Sequence, residues 1–326
     1  MSGVITDFLK HTMERIKLLY KNSEGKTRTP LRVLMIIKYL LFLLVLVYFL
    51  KVIFQIKDKI IIHIFNVNLS FVEIGILCIF FSFIIYTILW YLTLSFIGKI
   101  LPFPTLFEIN IISLFLRYLP GGVGDHIGRY AMLSRMGVEK KTIAFSLALL
   151  VGMLVFGGIL FFFTFSPFYL SRSLRGIFNT PFLLGIIVFL FILFAPKIIK
   201  HTMNTSSFGY RKIIFLLLLS ILHWIIWGSG AFYTVKAFHP LSCNLWLKVV
   251  SIATVSWVIG FLTPFAPNGI GVRELVFVFL LKDIVPYSIA VSASIFFRGV
   301  TAASDILCGI LLLIIYFFKI AKRTLL

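Results

Sequence analysis

The chain alternates long apolar runs with short basic stretches. Runs of about 20 apolar residues, the length that crosses a hydrocarbon core of about 30 Å, fall near 33 to 54, 71 to 97, 142 to 165, 181 to 199, 212 to 235, 246 to 264 and 287 to 318. Two further apolar segments are awkward: Thr105 to Leu119, which is short and carries Glu108, Asn110 and Arg117, and Gly271 to Leu281, which is too short to cross. The pattern predicts an all-α fold, a polytopic integral membrane protein with seven to eight spans and two broken or re-entrant elements.

Ahead of the first run, Ile5, Leu9, Met13, Ile16 and Tyr20 recur at helical spacing, with Lys10, Glu14, Lys17 and Lys21 on the other side. That pattern fits an amphipathic helix on a membrane surface, or a disordered basic tail. Seven Lys or Arg against three acids between Met1 and Arg32 place this N-terminus in the cytoplasm by the positive-inside rule. The expected organisation is a cytoplasmic basic segment at 1–30 and a single transmembrane domain at 31–326 of the cell membrane.

Each short segment adjoins a Pro/Gly stretch: PGGVGDHIGR, Pro120 to Arg129, and PNGIGVRE, Pro267 to Glu274. The two prolines are 147 residues apart, and TIAFSLA from Thr142 resembles SIAVSAS from Ser288 at an offset of 146. An internal repeat is therefore expected, with units around 105–165 and 248–318. Whether the units are inverted or parallel depends on whether Thr105 to Leu119 crosses. If it does not, the basic loops at Arg129 to Lys141 and Lys197 to Lys212 are both cytoplasmic; if it does, they face outward. Broken helices in corresponding positions of two repeats are the best sequence pointer to a transporter's binding site.

Composition narrows the class. At 60% hydrophobic residues and a mean hydropathy of +1.08, the chain is excluded from the soluble proteins. A net charge of +20 would suggest nucleic acid elsewhere. Here the basic residues lie between apolar runs, so anionic lipid headgroups are the expected partner and nucleic acid is not. Cys78, Cys243 and Cys308 lack metal-ligand spacing. There is no Walker lysine, no properly spaced dinucleotide fingerprint and no Ser/His/Asp set, so no cofactor, metal or catalytic residue is expected.

The breaks carry the candidate chemistry. Glycines let successive amides turn into one concavity, and a helix starting there presents unpaired amides to an anion. Asp125 is either an N-cap or a functional carboxylate. Arg129 falls one turn inside the first short helix, and Arg273 at the start of the second. On the last span Ser294, Arg298, Thr301 and Asp305 share one face. Arg298 either is neutralised by Glu274 or Asp125 or contacts substrate. The site residues expected to hold a lipid headgroup are Pro120, Gly121, Gly122, Gly124, Asp125, Arg129, Pro267, Gly269, Gly271, Arg273, Glu274, Arg298 and Asp305. Glu73 is expected at an interface and Glu108 at an interface or along the pathway. His223 is expected to be a hydrogen-bonded packing residue, and Ala144, Ala148 and Gly152 a small-residue stripe for close helix packing.

RYLPGGVGDHIGRYAMLSRMGV and TPFAPNGIGVRE, each followed by a span, resemble the transmembrane region of the lysylphosphatidylglycerol synthases, also called flippase-like domain proteins. The resemblance covers about residues 35 to 318. It rests on Pro120, Gly121, Gly124, Asp125 and Arg129, on Pro267, Gly269, Gly271, Arg273 and Glu274, and on Arg298. It implies translocation of an anionic or zwitterionic lipid, either a modified phospholipid or a polyprenyl-phosphate-linked glycan. A glycosyltransferase or lipid-modifying enzyme would be the partner. None of the 326 residues carries the soluble aminoacyl-transferase domain, so synthase activity is not carried over. The alternatives are an integral membrane transferase acting on a lipid-linked substrate, with Asp125 or Glu274 as base, and an accessory scaffold of a glycan-assembly complex.

Overall fold

The computed structural model describes residues 65–117, 124–165, 209–263 and 266–324, with isolated positions at 47, 51, 54, 55, 63, 197 and 201. The segment expected at 4–20, the spans expected at 33–54 and 181–199 apart from those positions, and Pro120, Gly121 and Gly122 lie outside the described residues.

Among the described residues the α-helices are α1 (Leu69–Phe96), α2 (Phe103–Leu116), α3 (Gly124–Arg135), α4 (Lys140–Phe165), α5 (Tyr210–Phe238), α6 (Trp246–Leu262), α7 (Val272–Leu281) and α8 (Tyr287–Thr324). Five stretches there are long and apolar enough to cross a membrane: α1, α4, α5, Cys243–Leu262 containing α6, and Tyr287–Ile315 of α8. The protein is a multi-pass membrane protein. Local signals mark several ends. Asn68 caps α1 by accepting the Ser70 amide at 3.1 Å, Pro102 precedes α2, and Gly137, at φ +76°, stops the turn after α3.

The centre of the bundle is the antiparallel pair α1 and α5. Lys212, at the start of α5, lies over the Phe96 ring at the end of α1, and Lys236, near the end of α5, lies over Phe71 near the start of α1. At mid-length His223 Nδ1 meets the Ser82 carbonyl at 3.0 Å. The expectation for His223 as a hydrogen-bonded packing residue matches this geometry.

Each central helix is followed by a helical hairpin and then by a long helix. In the first hairpin, α2 runs back along α1, with Asn110 Nδ2 donating to Thr87 Oγ1 at 2.7 Å. Then α3 returns along α2. A Cβ on Gly124 would collide with the Leu116 carbonyl oxygen, and one on Gly128 with the Leu116 side chain and Ser113. In the second hairpin, α6 runs back along α5, with Trp246 Nε1 donating to Ser229 Oγ at 2.9 Å and Trp224 and Trp257 rings 5.0 Å apart. Then α7 returns along α6, where a Cβ on Gly260 would stand 3.1 Å from Arg273 Cβ. The order of elements in α1 to α4, a long helix, two shorter ones and a long helix, recurs in α5 to α8. Because α1 and α5 are antiparallel, the two hairpins enter from opposite ends of the bundle.

Among the described residues, close crossings use small residues other than the expected stripe. Gly157 admits Ser220 of α5, Gly158 admits Val258 and Thr254 of α6, and Gly228 admits Val250. Ala144, Ala148 and Gly152 are exposed, and a Cβ on Gly152 would meet nothing within 4 Å among the described residues. Their spacing puts them on one face, but that face of α4 points away from the described helices.

Candidate functional site

The first hairpin closes on its own charge. Arg129 is fully buried, in the second turn of α3. Its Nη1 donates to Tyr86 Oη at 2.6 Å, its Nη2 lies 3.5 Å from Asp125 Oδ2, and His126 Nδ1 is 3.4 Å from Nη1. The guanidinium also lies over the Tyr86 and Trp90 rings, at 5.0 and 5.6 Å, an arrangement that favours a desolvated cation. Asp125 accepts the His126 amide at 2.9 Å. It sits inside the first turn of α3, which begins at Gly124, where it accepts that one amide and counters Arg129.

The second hairpin has a tip built from left-handed backbone. Asn268 (φ 52°), Gly269 (φ 66°) and Gly271 (φ 84°) take conformations that most side chains resist, and Gly269 backs directly onto the Gly260 main chain. Glu274, 5% exposed, reaches back from the third position of α7 and accepts the Gly271 amide through Oε2 at 2.6 Å, half of a capping box. Its Oε1 accepts from Arg298 Nε of α8 in a close ion pair. Arg298 Nη2 lies 3.4 Å from the Asn268 carbonyl, and Ser294 Oγ is 3.4 Å from the Glu274 carbonyl. The expectation that Glu274 neutralises Arg298 describes this arrangement.

Arg273 is left over. Its guanidinium lies 5.6 Å from the Trp257 ring centre, its Nε is buried without a hydrogen-bond partner, and among the described residues no carboxylate pairs with it. With Arg298, Glu274, Ser256, Phe277 and Thr301 it lines a narrow cleft. A charged residue at the centre of a membrane helix costs about 2.5 to 3.5 kcal/mol on insertion scales.

The two tips converge on α8. Arg117, the residue that ends α2, pairs with Asp305 at 3.5 Å, and Phe115 seats against Gly309. Arg298 and Asp305, seven residues apart, receive the second and first tips about 10 Å apart along the helix axis. Arg117 stands close enough to act electrostatically on both Asp125 and Arg273. Among the described residues, the cleft at Arg273 is lined by Arg298 and not by Arg129. A ladder of rings joins the two hairpins: Arg129 over Tyr86, then His223 at 5.9 Å, Trp224 at 5.1 Å, Trp257 at 5.0 Å, then Arg273.

Of the expected site residues, the structure gathers Gly269, Gly271, Glu274 and Arg298 into the second tip, with Arg273 beside them. It holds Gly124, Asp125 and Arg129 in the first hairpin and sets Asp305 between them on α8. Pro267 begins the short turn Pro267–Gly269. Glu73 is exposed near the start of α1, and Glu108 is half-buried early in α2. Sequence reasoning missed Arg117 as the partner of Asp305, and Tyr86, Trp90 and Trp257 as seats for the arginines. Arg117 was visible as an intramembrane charge beside the motif; the rings were lost among abundant aromatics. Among the described residues no group of His, Cys, Asp and Glu could hold a metal.

Compared with curated proteins, the sequence has no match. Residues 35–309, most of the chain, match the family described as lysylphosphatidylglycerol synthase TM region. With paired Pro/Gly hairpins, buried arginines and this match in place, the chain belongs to the lysylphosphatidylglycerol synthase transmembrane-region family, whose members are membrane proteins of lipid handling.

Proposed function

We propose that the protein translocates a lipid with an anionic or zwitterionic headgroup between leaflets of the cell membrane. One observation carries this reading: two hairpins entering from opposite ends deliver charged tips to one face of α8. Transport across a bilayer needs polar groups at mid-depth reachable in turn from each side, and inverted broken helices supply that arrangement.

Sidedness follows from charge. Lys99, Arg135, Lys140, Lys141, Arg211 and Lys212 lie at one end of the bundle, which the positive-inside rule makes cytoplasmic along with the N-terminus. Glu73, Lys236, Lys282 and Asp283 lie at the other. On this assignment α2 and α3 re-enter from the cytoplasm, and α6 and α7 from outside. At 14 residues, α2 spans about 21 Å, short of a hydrocarbon core of about 30 Å. Cys243, exposed beside the start of α6, then reacts with a membrane-impermeant maleimide in intact cells, while a Cys243→Ser/Lys140→Cys variant does not.

Transport is favoured over transfer chemistry because the carboxylates at the tips are each held by an arginine, Asp125 by Arg129, Glu274 by Arg298 and Asp305 by Arg117. An ion-paired carboxylate is a poor general base. The direct test is a leaflet-resolved assay with fluorescent phospholipids in proteoliposomes. The expected result is accelerated movement that Arg298→Ala abolishes. Acceleration of no phospholipid or lipid-linked glycan, or an unchanged rate with Arg298→Ala, would overturn the proposal.

A further inference from the structure

Two helices leave the main core before they meet. Helix α2 is set in that core through Leu106 and Ile109, and α8 through Ile289, Phe297 and Val300. Among the described residues, nothing of α2 beyond Ile109 and nothing of α8 beyond Val300 belongs to it. Past those points the two helices come together in a small separate cluster, where Ile111 and Leu114 of α2 join Phe83 of α1 and Cys308 of α8. The Phe115 ring beside Gly309 and the Arg117–Asp305 pair extend this seam. Polar atoms beside it are poorly served. Asn110 gives its Nδ2 to Thr87, but its Oδ1 is buried without a hydrogen-bond partner among the described residues, as is the Ser304 hydroxyl. Phe115, Ile306 and Ile310 are exposed along the outside of the seam, so it borders the bilayer.

We infer that this seam, between the end of α2 and the second half of α8, is the joint that opens when a lipid passes, while the main core stays closed. The passage of lipid rests on the transport reading; the joint rests on packing. Few apolar contacts hold a satellite cluster, which places it at the low-stability end of a fold. Arg117 is 31% exposed, so parting its ion pair costs little. Both helices keep their seats during opening, α2 through Leu106 and Ile109 and α8 through Phe297 and Val300. A wall of rings and aliphatic side chains with a charged pair at one edge suits an amphiphile, which brings both an acyl tail and a headgroup.

The test uses the full chain with Cys78, Cys243 and Cys308 replaced by Ala, and with Phe115→Cys and Gly309→Cys in place of the ring and the glycine that face each other. In proteoliposomes a short bifunctional thiosulfonate joins the two thiols and a reductant parts them. Movement of fluorescent phospholipid is expected to stop on joining and to return on reduction. Equal rates in joined and parted protein overturn the joint. If wild-type protein moves no lipid, the transport reading fails. In that case, or if the parted variant is itself inactive, hydrogen exchange in detergent decides the joint. Amides at 111–116 and 304–312 should exchange faster than those at 107–110 and 293–300. Asp305→Asn should raise exchange in the first two stretches about twofold to fivefold, the equivalent of losing an accessible ion pair, and leave the other two unchanged. Uniform exchange along both helices, or no response to Asp305→Asn, overturns the joint.

Discussion

The first and second hairpins share a backbone plan and satisfy their charges in different places. In the first, Arg129 finds Asp125 one turn away on its own helix and Tyr86 on α1. In the second, Glu274 turns away from its neighbour Arg273 to hold Arg298 on α8. At the repeat offset of 147 residues, His126 corresponds to Arg273, Ile127 to Glu274, and Arg129 to Val276. The repeat preserves the glycines that bend the chain and redistributes the charged groups. Both hairpins hand one ion pair to α8, Arg117 to Asp305 and Glu274 to Arg298, and the first keeps a further pair within its own helix.

Several measurements would break or sharpen that contrast. The largest effect is expected from Glu274→Ala, which removes a buried carboxylate that serves both half-buried Arg298 and the Gly271 amide. Loss of a charge-assisted hydrogen bond together with a helix cap costs about 2 to 4 kcal/mol, to be seen as a drop in thermal stability in detergent. The double variant Glu274→Ala/Arg298→Ala should recover part of it; no recovery would mean that the cap, not the pair, dominates. Next comes Gly124→Ala, where the new Cβ meets the Leu116 carbonyl. Overpacking of about 1 to 3 kcal/mol should destabilise the first hairpin and lower the melting temperature in detergent. Tyr86→Phe removes one acceptor from buried Arg129 and should cost about 1 to 3 kcal/mol of stability, read in the same melting assay. The smallest effect is expected for Arg117→Gln, whose side chain is 31% exposed. Loss of so accessible a pair should cost about 1 kcal/mol or less, so a large loss of transport at near-normal stability would show Arg117 acting on the pathway.

The helices were legible because a span is a local property of about 20 consecutive residues. The runs read at 71 to 97, 142 to 165 and 212 to 235 became α1, α4 and α5 with ends shifted by a few residues. The breaks were legible because Pro and Gly leave so little choice. Partnerships were not. Arg117 and Asp305 are distant in sequence, and their pairing depends on how the first hairpin tilts toward α8. The rings that seat Arg129 and Arg273 are among 37 Phe, 12 Tyr and 5 Trp, with nothing in local pattern to single them out. The stripe of Ala144, Ala148 and Gly152 shows the converse limit: spacing defines a face, but small side chains do not say which neighbour it meets. The recurring order of long and short helices was hidden for a related reason. Helices α1 and α5 correspond by orientation and sequel, while their residues are simply apolar.

The seven-residue step between Arg298 and Asp305 has a mechanical meaning. Seven residues are close to two whole turns of an α-helix, so both seats point the same way and move together when α8 rolls or slides. A displacement that loosens Arg117 from Asp305 must also change the grip of Arg298 on Glu274. The two hairpins are then geared to a single shaft, and a shift of α8 changes both ion pairs at once.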